Sequence, residues 1–178
     1  MATPTTTHRF VNVDLLTSAY RAVGKLMVTN TGVIGLFNDP TRSYVEIHDV
    51  RLARIHMPTK LVGHFELMRV LKSQVFAVCA GRRDDLGPLS LLRGGFVSFQ
   101  EHAVFLTSQV YEIKGVLETP GKFDYAAVMF EGTRDFVPIY NAVISAILFP
   151  SLRMETAASL FNRKRVDFLG LEAHRQEE

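Results

Sequence analysis

The chain has 178 residues, 47% of them hydrophobic and 21% charged, with a formal net charge of +2 at pH 7. That balance suits a globular protein of one domain or two small ones, and it permits a polyanionic partner without demanding one. A single cysteine, Cys79, excludes an internal disulfide framework and any multi-cysteine zinc site. The longest apolar run, 142–149, is interrupted by Ser145 and falls far short of a roughly 20-residue membrane span. The opening MATPTTTHRF has neither the basic nor the apolar region of a signal peptide. A cytoplasmic protein without a membrane segment is expected.

In chain order, 10–13 is the first β-prone run, and Leu16-Thr17-Ser18 leads into a second over 20–28. A non-periodic stretch closes on the turn signal Asn38-Asp39-Pro40. A longer strand is expected over 44–55, then a pair, 66–71 and 74–80, read as a hairpin turning at Lys72-Ser73. The segment 81–95 carries Arg82-Arg83-Asp84-Asp85, then Leu86, Leu89, Leu91 and Leu92, then Arg93-Gly94-Gly95. Its leucines are expected to cap the flanking units or seal them together. The strand pattern then returns: 103–106, 110–117, a turn at Glu131-Gly132, a long strand over 136–149, and a pair, 158–161 and 166–171, turning at Arg163-Lys164.

The return is residue by residue. Leu16-Thr17-Ser18 is matched by Leu106-Thr107-Ser108, and Tyr20, Gly24 and Leu26 by Tyr111, Gly115 and Leu117 in the same Tyr-x3-Gly-x-Leu spacing. Thr41-Arg42-Ser43-Tyr44-Val45-Glu46-Ile47 is matched by Thr133-Arg134-Asp135-Phe136-Val137-Pro138-Ile139. Ile55 and Pro58 are matched by Ile147 and Pro150. Repeats of this kind decide a fold before any single element does. The chain therefore reads as an internal duplication: one unit at 9–80, a connector at 81–100 and a second unit at 101–172. Five strands in each predict a mainly β protein of two tandem, strongly bent barrels of the SH3 or Sm type.

Glycine weakens a strand interior and is used at barrel corners and bulges, so Gly24 and Gly115 mark such corners. Asp49 and Asn141 interrupt the long strand at the same place, where the apolar parity slips; one extra residue would flip the faces. Pro138 cannot donate a ladder hydrogen bond, which places its strand at an edge there. Asp39 before Arg42, and Glu131 before Arg134, repeat an acid–base pair that braces a loop or, on the sharper reading, presents a ligand-binding arginine.

On these motifs, above all the strand from Arg134 to Ala142 with Tyr-x3-Gly-x-Leu before it, the chain resembles a bacterial family of small β-barrel domains of uncharacterised activity. It is also similar, more loosely, to Sm-like proteins, whose last hairpin presents a polar pair to RNA. That similarity implies an anion or nucleic-acid contact at Asn162, Arg163, Lys164 and Arg165, with Arg153 nearby. The first unit has Lys72-Ser73-Gln74 in that place, and the glycine usual in the Sm turn is absent from both units.

No nucleophile elbow, Walker loop, dinucleotide-binding glycine fingerprint or zinc-protease helix motif is present. His48, His56 and His64 are evenly spaced, but eight residues of one strand separate the first two by about 26 Å, too far for one ion. Cys79, in an apolar strand, reads as a core thiol. The expectation is a non-catalytic assembly or interaction module without cofactor or metal. Small barrels bury little core alone, so the two should pack together and self-associate through free edges, with a protein partner as a further option. The alternative is Sm-like nucleic-acid binding through the turn 162–165, expected to be solvent-exposed.

Overall fold

Alternation organises the first strand, β1 (Arg9–Leu16), where Val11, Val13 and Leu15 are buried with more exposed residues between them, and it ends at Leu16, which is buried too. The computed structural model describes residues 7–95 and 97–173. After β1 come β2 (Tyr20–Val28), α1 (Gly32–Asn38), β3 (Tyr44–Arg54), β4 (Met57–Leu71) and β5 (Ala77–Ala80). Two one-turn helices, α2 (Arg83–Leu86) and α3 (Leu89–Leu92), form the connector. Then follow β6 (Gln100–Thr107), β7 (Tyr111–Thr119), α4 (Tyr125–Met129), β8 (Phe136–Ala146), β9 (Arg153–Asn162) and β10 (Phe168–Leu171).

The protein is mainly β, and its ten strands lie in one antiparallel sheet of order β10-β6-β7-β8-β9-β5-β1-β2-β3-β4. The N-terminal half contributes β5-β1-β2-β3-β4 and the C-terminal half β10-β6-β7-β8-β9, so the two halves share one strand order. Two separate closed barrels are not what the chain forms. The sheet is open, because β5 turns its second edge to β9 of the other half and not to β4.

The expected hairpins at 72–73 and 163–164 are corrected by the same fact. β4 and β5 are not paired, nor are β9 and β10; in each case a 3-10 turn, Lys72–Gln74 or Arg163–Arg165, carries the chain from one edge of its half to the other. The non-periodic stretches hold the short helices α1 and α4, too brief for a helical period to register in sequence. β4 begins at Met57, well before the expected 66, and β9 at Arg153, before 158; both long strands are the hairpin partners of β3 and β8.

The expected kink is present in both halves. Asp49 and Asn141 have φ of 52° and 47°, left-handed conformations that short polar side chains tolerate. Opposite them the ladders shift register between Val23 and Lys25 and between Lys114 and Val116. The glycines at those shifts are demanded by close approach. A Cβ on Gly24 would lie 2.7 Å from the His48 carbonyl oxygen, and one on Gly115 3.0 Å from that of Tyr140. The strand of Pro138 is interior to the sheet, but at Pro138 itself it is an edge as expected: the β7–β8 register stops at Tyr140, so only β9 faces it.

Two apolar cores lie against the bent sheet, and each draws on both halves. The first gathers Val13, Leu26, Val33, Phe37, Val45 and Val78 with Phe136, Tyr140, Ala158 and Leu160 of the C-terminal half. The second gathers Val104, Leu106, Ile113, Ile144 and Phe161 with Leu16, Ile55, Phe76 and Cys79 of the N-terminal half.

Candidate functional site

The seam between the halves is where most of the distinctive chemistry collects. Its backbone is the β5–β9 ladder, in register from Ala77↔Phe161 to Ala80↔Ala158. Side chains lock the ladder at both ends. The Thr156 hydroxyl donates to the Ala80 carbonyl at 3.1 Å. Asn162, 3% exposed, donates from Nδ2 to the Val75 carbonyl at 3.0 Å and accepts from the Lys164 N–H at 3.1 Å. Asn38, at the end of α1, clamps Phe136 twice at 2.9 Å, donating to its carbonyl and accepting from its N–H. The Tyr111 hydroxyl donates to the Thr17 carbonyl at 2.6 Å. Burial pushes that phenol up from its ordinary range.

A cleft of about 610 Å³ opens over this seam, lined by Asp39, Arg42, Lys72, Asp135, Lys164 and Arg165 among others. Its cations are largely engaged inside the molecule. Lys72 donates to the Asp39 carbonyl at 2.8 Å, and desolvation lowers its pKa. Lys164 pairs with Asp135 at 2.7 Å. Arg165 donates to the Ser73 carbonyl and lies over the Phe76 ring, 5.3 Å from its centroid. Arg163, which lines a neighbouring cleft and not this one, donates to the carbonyls of Glu131 at 2.5 Å and Gly132 at 3.0 Å. Arg42 is exposed at the rim.

Four of the residues singled out from sequence thus come together at 162–165, but as clamps more than as a bare basic turn. Lys164 is exposed as expected, Arg163 and Arg165 are half-buried, and Asn162 is buried. Arg153 does not join them. It starts β9, pairs with Glu155 at 3.5 Å, and lies nine residues from Asn162, about 30 Å along the strand. Of the matched positions, Tyr111 is buried while Tyr20 is exposed. Asp39 accepts from the Thr41 N–H and hydroxyl, which together hold its carboxyl below the usual range. Arg134 lines a second, larger cleft of about 750 Å³ beside α4. Of its three acids, Glu118, Asp124 and Glu131, the first two are committed. Glu118 is held by Arg83 at 2.7 Å and Arg93 at 3.2 Å, and Asp124 accepts from the N–H groups of Ala126 and Ala127. Arg83 also lies over the Tyr140 ring, 3.8 Å from its centroid, tying the connector to the seam.

Sequence reasoning placed Asn38 in a turn and Leu160 in a strand but missed the part that they and Thr156 play in the seam; each acquires that role only when the two halves meet. Cys79 is buried, and burial pushes its thiol far up. His64 accompanies Asp49 at 2.6 Å, on the far side of the N-terminal half from the seam ladder, and Lys25 lies 2.9 Å from the same carboxylate. The Lys25 ammonium first, and His64 second, bring the Asp49 pKa down to about 2. Because the folded value is depressed, the pairing stabilises the fold above about pH 4 and is lost as pH falls toward 2. An NMR titration of the Asp49 carboxyl should therefore show a midpoint near 2, and Lys25→Met should move it up toward the ordinary 3.8. A midpoint already at the ordinary value in the unmodified protein would contradict this geometry. Among the described residues no cluster of three or more metal-ligating side chains forms, and no helix is long and apolar enough to cross a membrane.

Comparison with family models, curated proteins and solved structures found no match to this chain.

Proposed function

We propose that the chain is a non-catalytic assembly module, cytoplasmic and homo-oligomeric, made of two duplicated five-stranded units of the SH3/Sm type at 9–80 and 101–172. The observation that carries this reading is the β5–β9 ladder. Each half has the same strand order, and the halves join by setting the last long strand of one against the short last strand of the other. Among the described residues the sheet then ends at two unpaired edges, β4 and β10. Unprotected edges are templates for further pairing. β4 is long and, although Pro58, Lys60, Glu66 and Arg69 lie along it, shows Leu61, Phe65, Leu67 and Leu71 to solvent. Light scattering across the micromolar range should give a mass that is a multiple of 20.0 kDa. A mass that stays at the single-chain value would overturn the reading.

The second reading is nucleic-acid binding at the seam cleft, favoured by Arg42, Lys72, Lys164 and Arg165 facing two acids, Asp39 and Asp135. It calls for retention on heparin that falls steeply with salt. It is the weaker one, because carbonyls and carboxylates of the protein itself already hold Lys72, Lys164 and Arg165.

A further inference from the structure

We infer that β4 of one copy pairs antiparallel with β10 of another, so that copies join head to tail in the register of the internal seam. This rests on the assembly reading above and specifies its interface. The two ladders within each half set the correspondence. Val45 opposes Val70 where Val137 opposes Phe161, so Val70 stands in β4 where Phe161 stands in β9. Gly24 faces Val13 where Gly115 faces Val104, so in the ladders Leu16 corresponds to Thr107, one residue on from its sequence match Leu106. Leu16 opposes Ala77 where Thr107 opposes Phe168, so Phe168 stands in β10 where Ala77 stands in β5. The internal pairs Ala77↔Phe161 and Ala80↔Ala158 then become Phe168↔Val70 and Leu171↔Leu67 between copies.

The side chains at these positions fit a reversible version of the seam. Phe168 is 74% exposed, Leu171 45% and Leu67 46%, although all three lie in ordered strands. On the face where Phe136, Tyr140, Ala158 and Leu160 bury themselves against the N-terminal half, the matching positions in β3 and β4 are Tyr44, His48, Leu67 and Arg69. That face is apolar enough to dock and polar enough to remain soluble when separate, as an interface between independently folded partners must be. Arg69 is held by Glu46 at 2.9 Å, which keeps its charge in solution beside the edge and off it. Counted back from the following strand, Phe130 occupies the place of Asn38, six residues before Phe136 as Asn38 is before Tyr44. Asn38 contacts Phe136 across the internal seam; Phe130, 79% exposed, would reach Tyr44 of the next copy.

The two edges are different strands, so the contact is heterologous, and any closed assembly is a ring in which each copy contributes one β4 and one β10. A self-paired β4 would instead give a two-fold dimer and stop.

The test uses Leu67→Cys and Leu171→Cys in separate full-length chains, each also carrying Cys79→Ala. Both new cysteines replace exposed side chains. Directly opposed strand residues bring Cβ atoms to about 4.5–5.5 Å, close enough for a disulfide to form with slight adjustment. Mild oxidation of the mixed chains should give a cross-linked product of two chains, and neither variant alone should give one. Self-linking of Leu67→Cys alone would overturn the inference in favour of a β4–β4 dimer. Oligomers by light scattering with no cross-link in the mixture would overturn the β4–β10 contact and leave the assembly reading standing. A single-chain mass for both the unmodified and the cysteine proteins would overturn the two together.

Discussion

Replacing Leu160 by alanine is expected to lower the unfolding free energy by about 2–5 kcal/mol, the range for a large-to-small change at a site that cannot collapse. Leu160 is fully buried, and it belongs to β9 of the C-terminal half while packing in the core of the N-terminal half. Its backbone neighbour across the ladder is Val78, itself fully buried. A cavity there loosens both halves at once, so urea unfolding should remain a single transition when followed by far-ultraviolet circular dichroism and by tyrosine fluorescence. The chain has no tryptophan to complicate the second signal. Leu67→Ala is the control. It changes the same residue type on the exposed β4 edge and should alter the stability of the single chain by no more than about 0.5 kcal/mol. Two separated transitions in Leu160→Ala, or a loss no larger than that of the control, would mean that the halves fold independently and that the seam contributes little.

How far the sequence reveals this architecture depends on whether a feature is local. The strands β1, β2, β6 and β7 were legible because half-burial on a bent sheet leaves alternation in the residues themselves, as in Val11, Val13 and Leu15. The kinks were legible because a sheet bent sharply against its neighbour excludes a Cβ at Gly24 and Gly115, and tolerates a left-handed residue only at Asp49 and Asn141. The helices α1 and α4 were not, since seven and five residues give less than two turns of period. Nor was the open sheet. The segments 66–71 and 74–80, separated by the two polar residues Lys72 and Ser73, look like a hairpin in any local reading. Only the 3-10 turn at Lys72–Gln74, and the availability of β9 to pair with β5, decide otherwise. The candidate site shows the same division. A cluster of cations at 163–165 is visible in the sequence, but the carbonyls of Glu131, Gly132 and Ser73 that receive them are 31 to 92 residues away.

That difference can be tested at Asn162, where alanine is expected to cost about 2–4 kcal/mol, far more than the same change on an exposed turn. The amide satisfies the Val75 carbonyl, in a fully buried residue, and the Lys164 N–H, on a part-buried turn, one group on each side of the seam. A buried polar group left without a partner costs roughly 1–3 kcal/mol, and Asn162→Ala strands the Val75 carbonyl in full and the Lys164 N–H in part. The backbone bond from the Asn162 N–H to the Phe76 carbonyl remains, so the loss should be confined to the side chain. Lys164→Ser supplies the contrast. Its ammonium is mostly exposed and its pair with Asp135 lies in solvent, where such a bridge contributes about 0–1 kcal/mol. Arg165→Ser should fall between them, since it removes a hydrogen bond to the Ser73 carbonyl and contact with the Phe76 ring at a half-buried position. The order expected from urea midpoints is therefore Asn162→Ala least stable, then Arg165→Ser, then Lys164→Ser close to the unmodified protein. If all three are equally mild, the turn 162–165 is a solvated loop whose cations are free for an external anion, and nucleic-acid binding becomes the better reading of the seam.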